Sequence, residues 1–210
     1  MNEQNQMMNI NPKVWEIPRL HIPMENMACW SNGFNDADLD QIISLGELAD
    51  FQKGSIGGRE VGKSDVNTEI RDTDIAWIHP SRETEWLYER MKQFIARINY
   101  DKFQFDIDQM QALQYGKYKE NGHYEWHVDC GPNLPVHRKL TLIVALTDPD
   151  SYEGGELLLN FSGDPKNPHV MKIRKGDLIA FPSFIPHKVA PVTSGERLTL
   201  VTWATGPKFV

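Results

Sequence analysis

The chain has 210 residues, 40% of them hydrophobic and 24% charged, with a net charge of -7 and a pI near 5.5. That length and balance suit one globular domain with a sizeable core, and they exclude the broad basic surface that binds nucleic acid by counterion release. The longest apolar runs, such as "LTLIVAL" at 140–146, are too short to span a bilayer. The opening "MNEQNQMMNINPK" lacks the cationic and apolar parts of a signal peptide, and Cys29 and Cys130 stand far apart in no C-x-x-C pattern. The expectation is a soluble, cytoplasmic protein without membrane contact, with residues 1–12 flexible and 13–210 forming one domain.

In chain order, "NDADLDQIISLGELADF" reads as a helix, capped by Asn35 and carrying Leu39, Ile42 and Ile43 on one face. The Gly-rich, charged segment 55–69 reads as a long exposed loop or hairpin, suited to a lid over an extended chain. Just past Pro80, the segment 81–100 carries Leu87, Met91, Phe94, Ile95 and Ile98 at helical spacing. Beyond Phe103 the chain turns to short alternating or β-branched runs: "QMQALQY", "HYEWHVD", "KLTLIVALT", "GGELLLN", "HVMKIRK", "GDLIAFP" and "ERLTLVTWA". Helices followed by at least seven strands predict a mainly β (α+β) fold with the helices packed outside two sheets, and the site between the sheets.

Within "HYEWHVDC", strict alternation places His127 and Asp129 on one strand face, with His123 on that face at the rim and Trp126 and Val128 opposite. His187, in "FPSFIPHKVAPV", starts a late strand after a turn shaped by Pro182 and Pro186. Two histidines and one carboxylate with other positions open suit a non-haem Fe(II) oxygenase, although zinc hydrolases also use such a set. Arg197 shares a strand face with Thr199, Val201 and Trp203; a buried guanidinium there needs an anion, either a ligand carboxylate or, in the plainer alternative, Glu125 or Glu156. Gly154, Gly155 and Glu156 read as a turn entering a strand, and "KGD" at 175–177 as a tight turn. His21, His79, His137 and His169 read as surface residues.

The ordered series "YKENGHYEWHVD", "RKLTLIVALTD", "YEGGELLL" and "IRKGDLIAFPSFIPHKVAPVTSGERLTLVTW" resembles the Fe(II)/2-oxoglutarate-dependent oxygenases, in their prolyl 4-hydroxylase-like and PKHD-type branch. The resemblance implies a double-stranded β-helix (jelly-roll) barrel with supporting N-terminal helices and a catalytic core at about 103–207. It implies that His127, Asp129 and His187 hold Fe(II), and that Arg197, with Tyr118 and Thr199, binds 2-oxoglutarate. Tyr124, Arg138 and Trp203 match positions that line the site or face substrate. The implied reaction is hydroxylation of a C–H bond, first of all on proline in a peptide or protein, using O2 and releasing succinate and CO2, with ascorbate as a reductant. Asp129 favours hydroxylation over halogenation.

Two departures bear on this resemblance. Val144 and Ala145 stand where animal oxygen-sensing relatives place a co-substrate-binding tyrosine, so a second carboxylate anchor must come from elsewhere. Trp203 stands where nucleic-acid-demethylating relatives place a second arginine, which weighs against a nucleic-acid substrate. A non-prolyl substrate and a non-catalytic metal-binding β-barrel sensor are the alternatives.

Overall fold

In the computed structural model, which describes residues 25–57, 64–131 and 137–207, the first elements are β1 (Ala28–Trp30) and α1 (Asp36–Glu47). The stretch 1–12 and His21 lie outside the described residues. α1 starts where expected because Asn35 and Asp38 form a reciprocal capping box: Asn35 Oδ1 accepts from the Asp38 amide (2.9 Å), and the Asp38 carboxylate accepts from the Asn35 amide (3.3 Å). Leu39 and Ile42 are buried, and Ile43 packs at the margin of the same core. Gly46 lets Tyr115 lie against the helix, since a Cβ there would come within 2.4 Å of that ring.

Five short strands follow: β2 (Gln52–Lys53), β3 (Ile56–Gly57), β4 (Ser64–Asp65), β5 (Arg71–Asp72) and β6 (Asp74–Ile78). β3 and β4 pair antiparallel, so the flanks of the 55–69 segment form a hairpin; its middle, 58–63, lies outside the described residues. α2 (Glu85–Ile98) buries the five expected apolar residues but begins later than its pattern suggested. The Thr84 hydroxyl donates to the His79 carbonyl (2.9 Å) and accepts from the Ser81 amide (2.8 Å), which folds the segment after Pro80 into a turn ahead of the helix.

The remaining strands are β7 (Gln109–Met110), β8 (Leu113–Tyr118), β9 (His123–His127), β10 (Arg138–Ala145), β11 (Glu153–Gly154) and β12 (Leu157–Leu159). They continue with β13 (His169–Val170), β14 (Leu178–Pro182), β15 (His187–Val189), β16 (Val192–Ser194) and β17 (Arg197–Thr205). The larger sheet has the order β1-β14-β10-β17-β8-β6-β2, with β7 also on β17; the smaller has β13-β12-β15-β9-β5. Neighbouring strands run antiparallel. The expected strand "HVMKIRK" shrinks to the exposed edge pair β13, while β5 and β6, which had no clear strand signal, extend the two sheets beside the site.

Alternation along the larger sheet separates two cores. Leu113, Tyr115, Leu142 and Leu200 face outward and bury Leu39, Ile42, Leu87 and Met91 of the helices. Tyr118, Ile143, Ile179 and Phe181 face inward against Leu157, Leu159 and Val189 of the smaller sheet. This is the jelly-roll arrangement of two facing sheets with helices outside, and among the described residues no ladder closes the sheets into a ring. Among the described residues no helix is long and apolar enough to cross a membrane.

Candidate metal centre

His127 ends β9, His187 begins β15, and the two are register partners across that antiparallel pair. Asp129 follows β9, where its backbone amide donates to the Ser183 carbonyl (2.9 Å) in the turn that carries the chain from β14 to β15. Ligand atoms of His127, Asp129 and His187 all lie within 4.8 Å of one another. His127 Nε2 is 3.9 Å from Asp129 Oδ1, and His187 Nε2 is 3.4 Å from Oδ2. These spacings are too long for good hydrogen bonds, so the three groups converge without satisfying one another.

Backbone carbonyls fix the tautomers. His127 Nδ1 lies 2.7 Å from the Glu125 carbonyl and His187 Nδ1 lies 3.0 Å from that of Ile185, so each Nδ1–H donates outward and each Nε2 turns a lone pair inward. Asp129 Oδ2 accepts from the Thr141 hydroxyl (2.7 Å), itself 3.1 Å from Ser183 Oγ. Burial, reinforced by His187, holds the His127 imidazole down at about 3, and so neutral at ordinary pH. Burial pushes the Asp129 carboxyl up, but the adjacent imidazoles, together with the Arg138 charge and the Thr141 hydroxyl, outweigh it and bring the group down to about 2. Three lone-pair donors facing one point, with no proton between them, fit a divalent cation, and a set of two imidazoles and one carboxylate suits Fe(II).

Tyr124 stacks on His127 with ring centroids 3.5 Å apart and planes 14° apart, and Arg71 lies over the Tyr124 ring at 4.5 Å. The contact corrects the strict alternation assumed for this strand. The pairing changes register between His187↔His127 and Val189↔Tyr124, so β9 spends one extra residue there, and Tyr124 joins His127 on the inner side. Glu125 points away and meets Lys188 (2.7 and 2.8 Å). His123, expected on the ligand face, instead places its ring nitrogens near the carbonyls of Asn121 (2.8 Å) and Glu69 (3.2 Å). His79, His137 and His169 are exposed, as expected.

Arg197, Tyr118 and Thr199 are all buried on the inner face of the larger sheet, with Arg197 opposite Tyr118 in register and 5.2 Å from its ring. Among the described residues no carboxylate bonds to Arg197; of the two acids considered for it, Glu125 is engaged by Lys188. Gly155, in the left-handed region (φ 67°), closes over this arginine, since a Cβ there would stand 3.1 Å from Arg197 Cδ. Trp203 lies level with Thr141 on β10 and carries Arg138 on its ring at 3.7 Å, while Arg138 Nε and Nη2 both donate to Gln111 Oε1 (2.9 and 2.8 Å). Thr141, Ser183, Arg71 and Gln114 were not singled out from sequence. Thr and Ser are common strand and turn residues, and their role here depends on which strands become neighbours.

Residues 110–205 match the 2OG-Fe(II) oxygenase superfamily. Over 100 residues the chain is 39% identical to a PKHD-type hydroxylase of Xylella fastidiosa (strain M12), an alignment covering 43% of this chain and 42% of that relative, so less than half of the relative's length is matched. Among solved structures, a Pseudomonas putida prolyl-4-hydroxylase superposes with a TM-score of 0.63 at 20% identity, covering 87% of this chain and 93% of that one. A Trichoplax adhaerens prolyl hydroxylase, solved with a hypoxia inducible factor peptide fragment, gives 0.69 at 20% identity over 86% and 83% of the two chains. Residues 110–205, which contain the converging His127, Asp129 and His187, are thus similar to the 2OG-Fe(II) oxygenase superfamily and to PKHD-type hydroxylases, and the chain shares the fold of the prolyl hydroxylase structures.

Proposed function

We propose that the protein is an Fe(II)- and 2-oxoglutarate-dependent dioxygenase that hydroxylates a C–H bond, most directly on proline in a peptide or protein. The observation that carries this reading is the pairing of a three-ligand centre with a buried arginine, Arg197, that has no acid partner among the described residues, both on the inner side of one jelly roll. His127 and His187 would hold the metal through Nε2 and Asp129 through its carboxylate. Fe(II) held there, with 2-oxoglutarate and O2, supplies the oxidising chemistry that yields succinate, CO2 and a hydroxylated product.

The chain's own groups supply position and dryness. The Glu125 and Ile185 carbonyls keep each Nδ1 protonated, and Thr141 holds the Asp129 carboxylate at a fixed angle. Arg197 would grip the distal carboxylate of 2-oxoglutarate, with the Tyr118 and Thr199 hydroxyls as neutral donors beside it in place of the tyrosine missing at Val144 and Ala145. Tyr124, stacked on His127, and Trp203, level with Thr141, would help to keep water from the centre, and Arg138 would face the substrate. The Trichoplax adhaerens structure, solved with a peptide bound, supports a peptide or protein as the substrate class.

The test is succinate formation from 2-oxoglutarate by the Fe(II)-loaded protein with ascorbate, followed by NMR with and without proline-containing peptides. Succinate that rises with a peptide gaining about 16 mass units, one oxygen atom, supports the reading. Undiminished succinate formation by Asp129→Ala would overturn the metal assignment.

A further inference from the structure

Arg71 is absent from every role assigned above, yet it is only 8% exposed and reaches from β5 of the smaller sheet to Gln114 of β8 in the larger. A guanidinium carries five N–H groups. Here Nη1 donates to the Ser55 carbonyl (3.0 Å), Nη2 donates to Gln114 Oε1 (2.9 Å), and Nε is buried without a partner. Both acceptors are neutral, and among the described residues no carboxylate bonds to Arg71. Gly54 lies against the Nε side, where a Cβ would come within 2.5 Å, so the remaining Nη protons are the ones left for a ligand. A buried cation with neutral partners costs stability unless an anion arrives.

Arg138 shows the same pattern across the centre. Its partners are neutral Gln111 and the Trp203 ring, and among the described residues no carboxylate bonds to it. Arg71 lies over the Tyr124 ring that stacks on His127, and Arg138 lies over Trp203, which is level with the Thr141 that bonds Asp129; the charge nearest in effect to Arg138 is that of Asp129 itself. On the assignment proposed above, the charges of Fe(II), Asp129, 2-oxoglutarate and Arg197 cancel, so once the metal takes up Asp129, Arg71 and Arg138 are left with neutral hydrogen-bond partners among the described residues. On a chain of net charge -7 this is a local exception.

We infer that Arg71 and Arg138 together form an anion-binding subsite beside the metal centre, which selects an acidic peptide substrate by taking a carboxylate side chain next to the hydroxylated residue. The inference rests on the proposed oxygenase reading for its substrate, but the subsite itself rests on the two arginines. A positioning role alone, with Arg71 merely propping Tyr124 against His127, would give no preference for charge.

The experiment uses anaerobic protein loaded with Fe(II) and 2-oxoglutarate, and fluorescein-labelled proline peptides that differ only in Glu or Gln beside the proline. Fluorescence anisotropy should show the Glu peptide binding at least about ten-fold tighter at low salt, with the preference collapsing to about two-fold or less in Arg71→Gln and in Arg138→Gln and partly retained in Arg71→Lys. Equal affinity for Glu and Gln peptides, or a preference that survives in both Gln variants, overturns the inference. Because Arg71→Gln also loses the tie to Ser55, Arg138→Gln serves as the variant that leaves this tie intact. If no peptide binds, inorganic sulfate is the second probe: it should raise the melting temperature of the loaded wild type and not of Arg138→Gln, and no such difference overturns the subsite. Succinate formation is measured in parallel with and without peptide, so a sulfate effect with no succinate under either condition would sink the oxygenase reading while keeping the anion subsite.

Discussion

Thr141→Val tests whether the carboxylate of the centre is held by the opposite sheet. Thr141 is 1% exposed, and its hydroxyl donates to Asp129 Oδ2 at 2.7 Å. Valine keeps the shape and deletes that donor, so the loss is one hydrogen bond to a buried charge, worth about 1.5–3 kcal/mol. At about 1.4 kcal/mol per factor of ten, the carboxylate should bind metal some 10–100-fold more weakly, which is also the usual cost of losing a partner behind a metal ligand. The assay is anaerobic Fe(II) titration against a competing chelator, with urea unfolding of the apo protein as a control for folding. Thr141→Ser, which keeps the hydroxyl, should restore most of the affinity. Metal affinity unchanged in a folded Thr141→Val protein would refute the argument that Thr141 sets the angle of Asp129.

Arg197→Met removes a buried cation that has no acid partner among the described residues, so apo stability should hold within about 1 kcal/mol while 2-oxoglutarate affinity, read by calorimetry, falls by 2 kcal/mol or more, about thirty-fold. Unchanged 2-oxoglutarate binding would remove Arg197 from the pocket. Gly46→Ala puts a Cβ within 2.4 Å of the buried Tyr115 ring and should cost about 1–3 kcal/mol, seen as a melting temperature lower by several degrees; an unchanged melting curve would refute the contact. His127 titrates at about 3 in the fold against 6.5 when unfolded, so between those values the unfolded chain binds the extra proton and apo stability falls as pH falls, at up to about 1.4 kcal/mol per pH unit. Asp129, down at about 2 from 3.8, extends the loss at still lower pH, and His127→Gln should flatten the upper part of the curve in urea titrations.

The helices and most strands were legible because local spacing decides them. α2 keeps Leu87, Met91, Phe94, Ile95 and Ile98 on one buried face, but it starts later than the spacing suggests, since the Thr84 hydroxyl's contacts with His79 and Ser81 do not show as periodicity, and it gives way at Asn99 to a wider helical turn. The convergence of His127, Asp129 and His187 was legible for another reason: Asp129 follows His127 closely in the chain, and His187 stands at the start of a strand after a proline-shaped turn. What could not be read is everything contributed by strand adjacency. Thr141 supports Asp129 because β10 lies beside β14 in the larger sheet, and Arg71 reaches Tyr124 because β5 pairs with β9. Two-residue strands such as β5 carry too little pattern to announce themselves.

The bulge in β9 shows how one residue redistributes roles without changing any ligand. Without it, alternation would put His123 and Glu125 inside with His127, crowding a further imidazole and carboxylate into the centre. With one extra residue between the paired positions His187↔His127 and Val189↔Tyr124, Glu125 turns outward to Lys188 and Tyr124 turns inward against His127. An acid that would compete for the metal, or neutralise Arg71, is thereby exchanged for an aromatic face that takes Arg71 on one side and His127 on the other. The uncompensated charge of Arg71, and the anion subsite inferred from it, therefore depend on a change of strand parity that no spacing rule applied to "HYEWHVDC" contains.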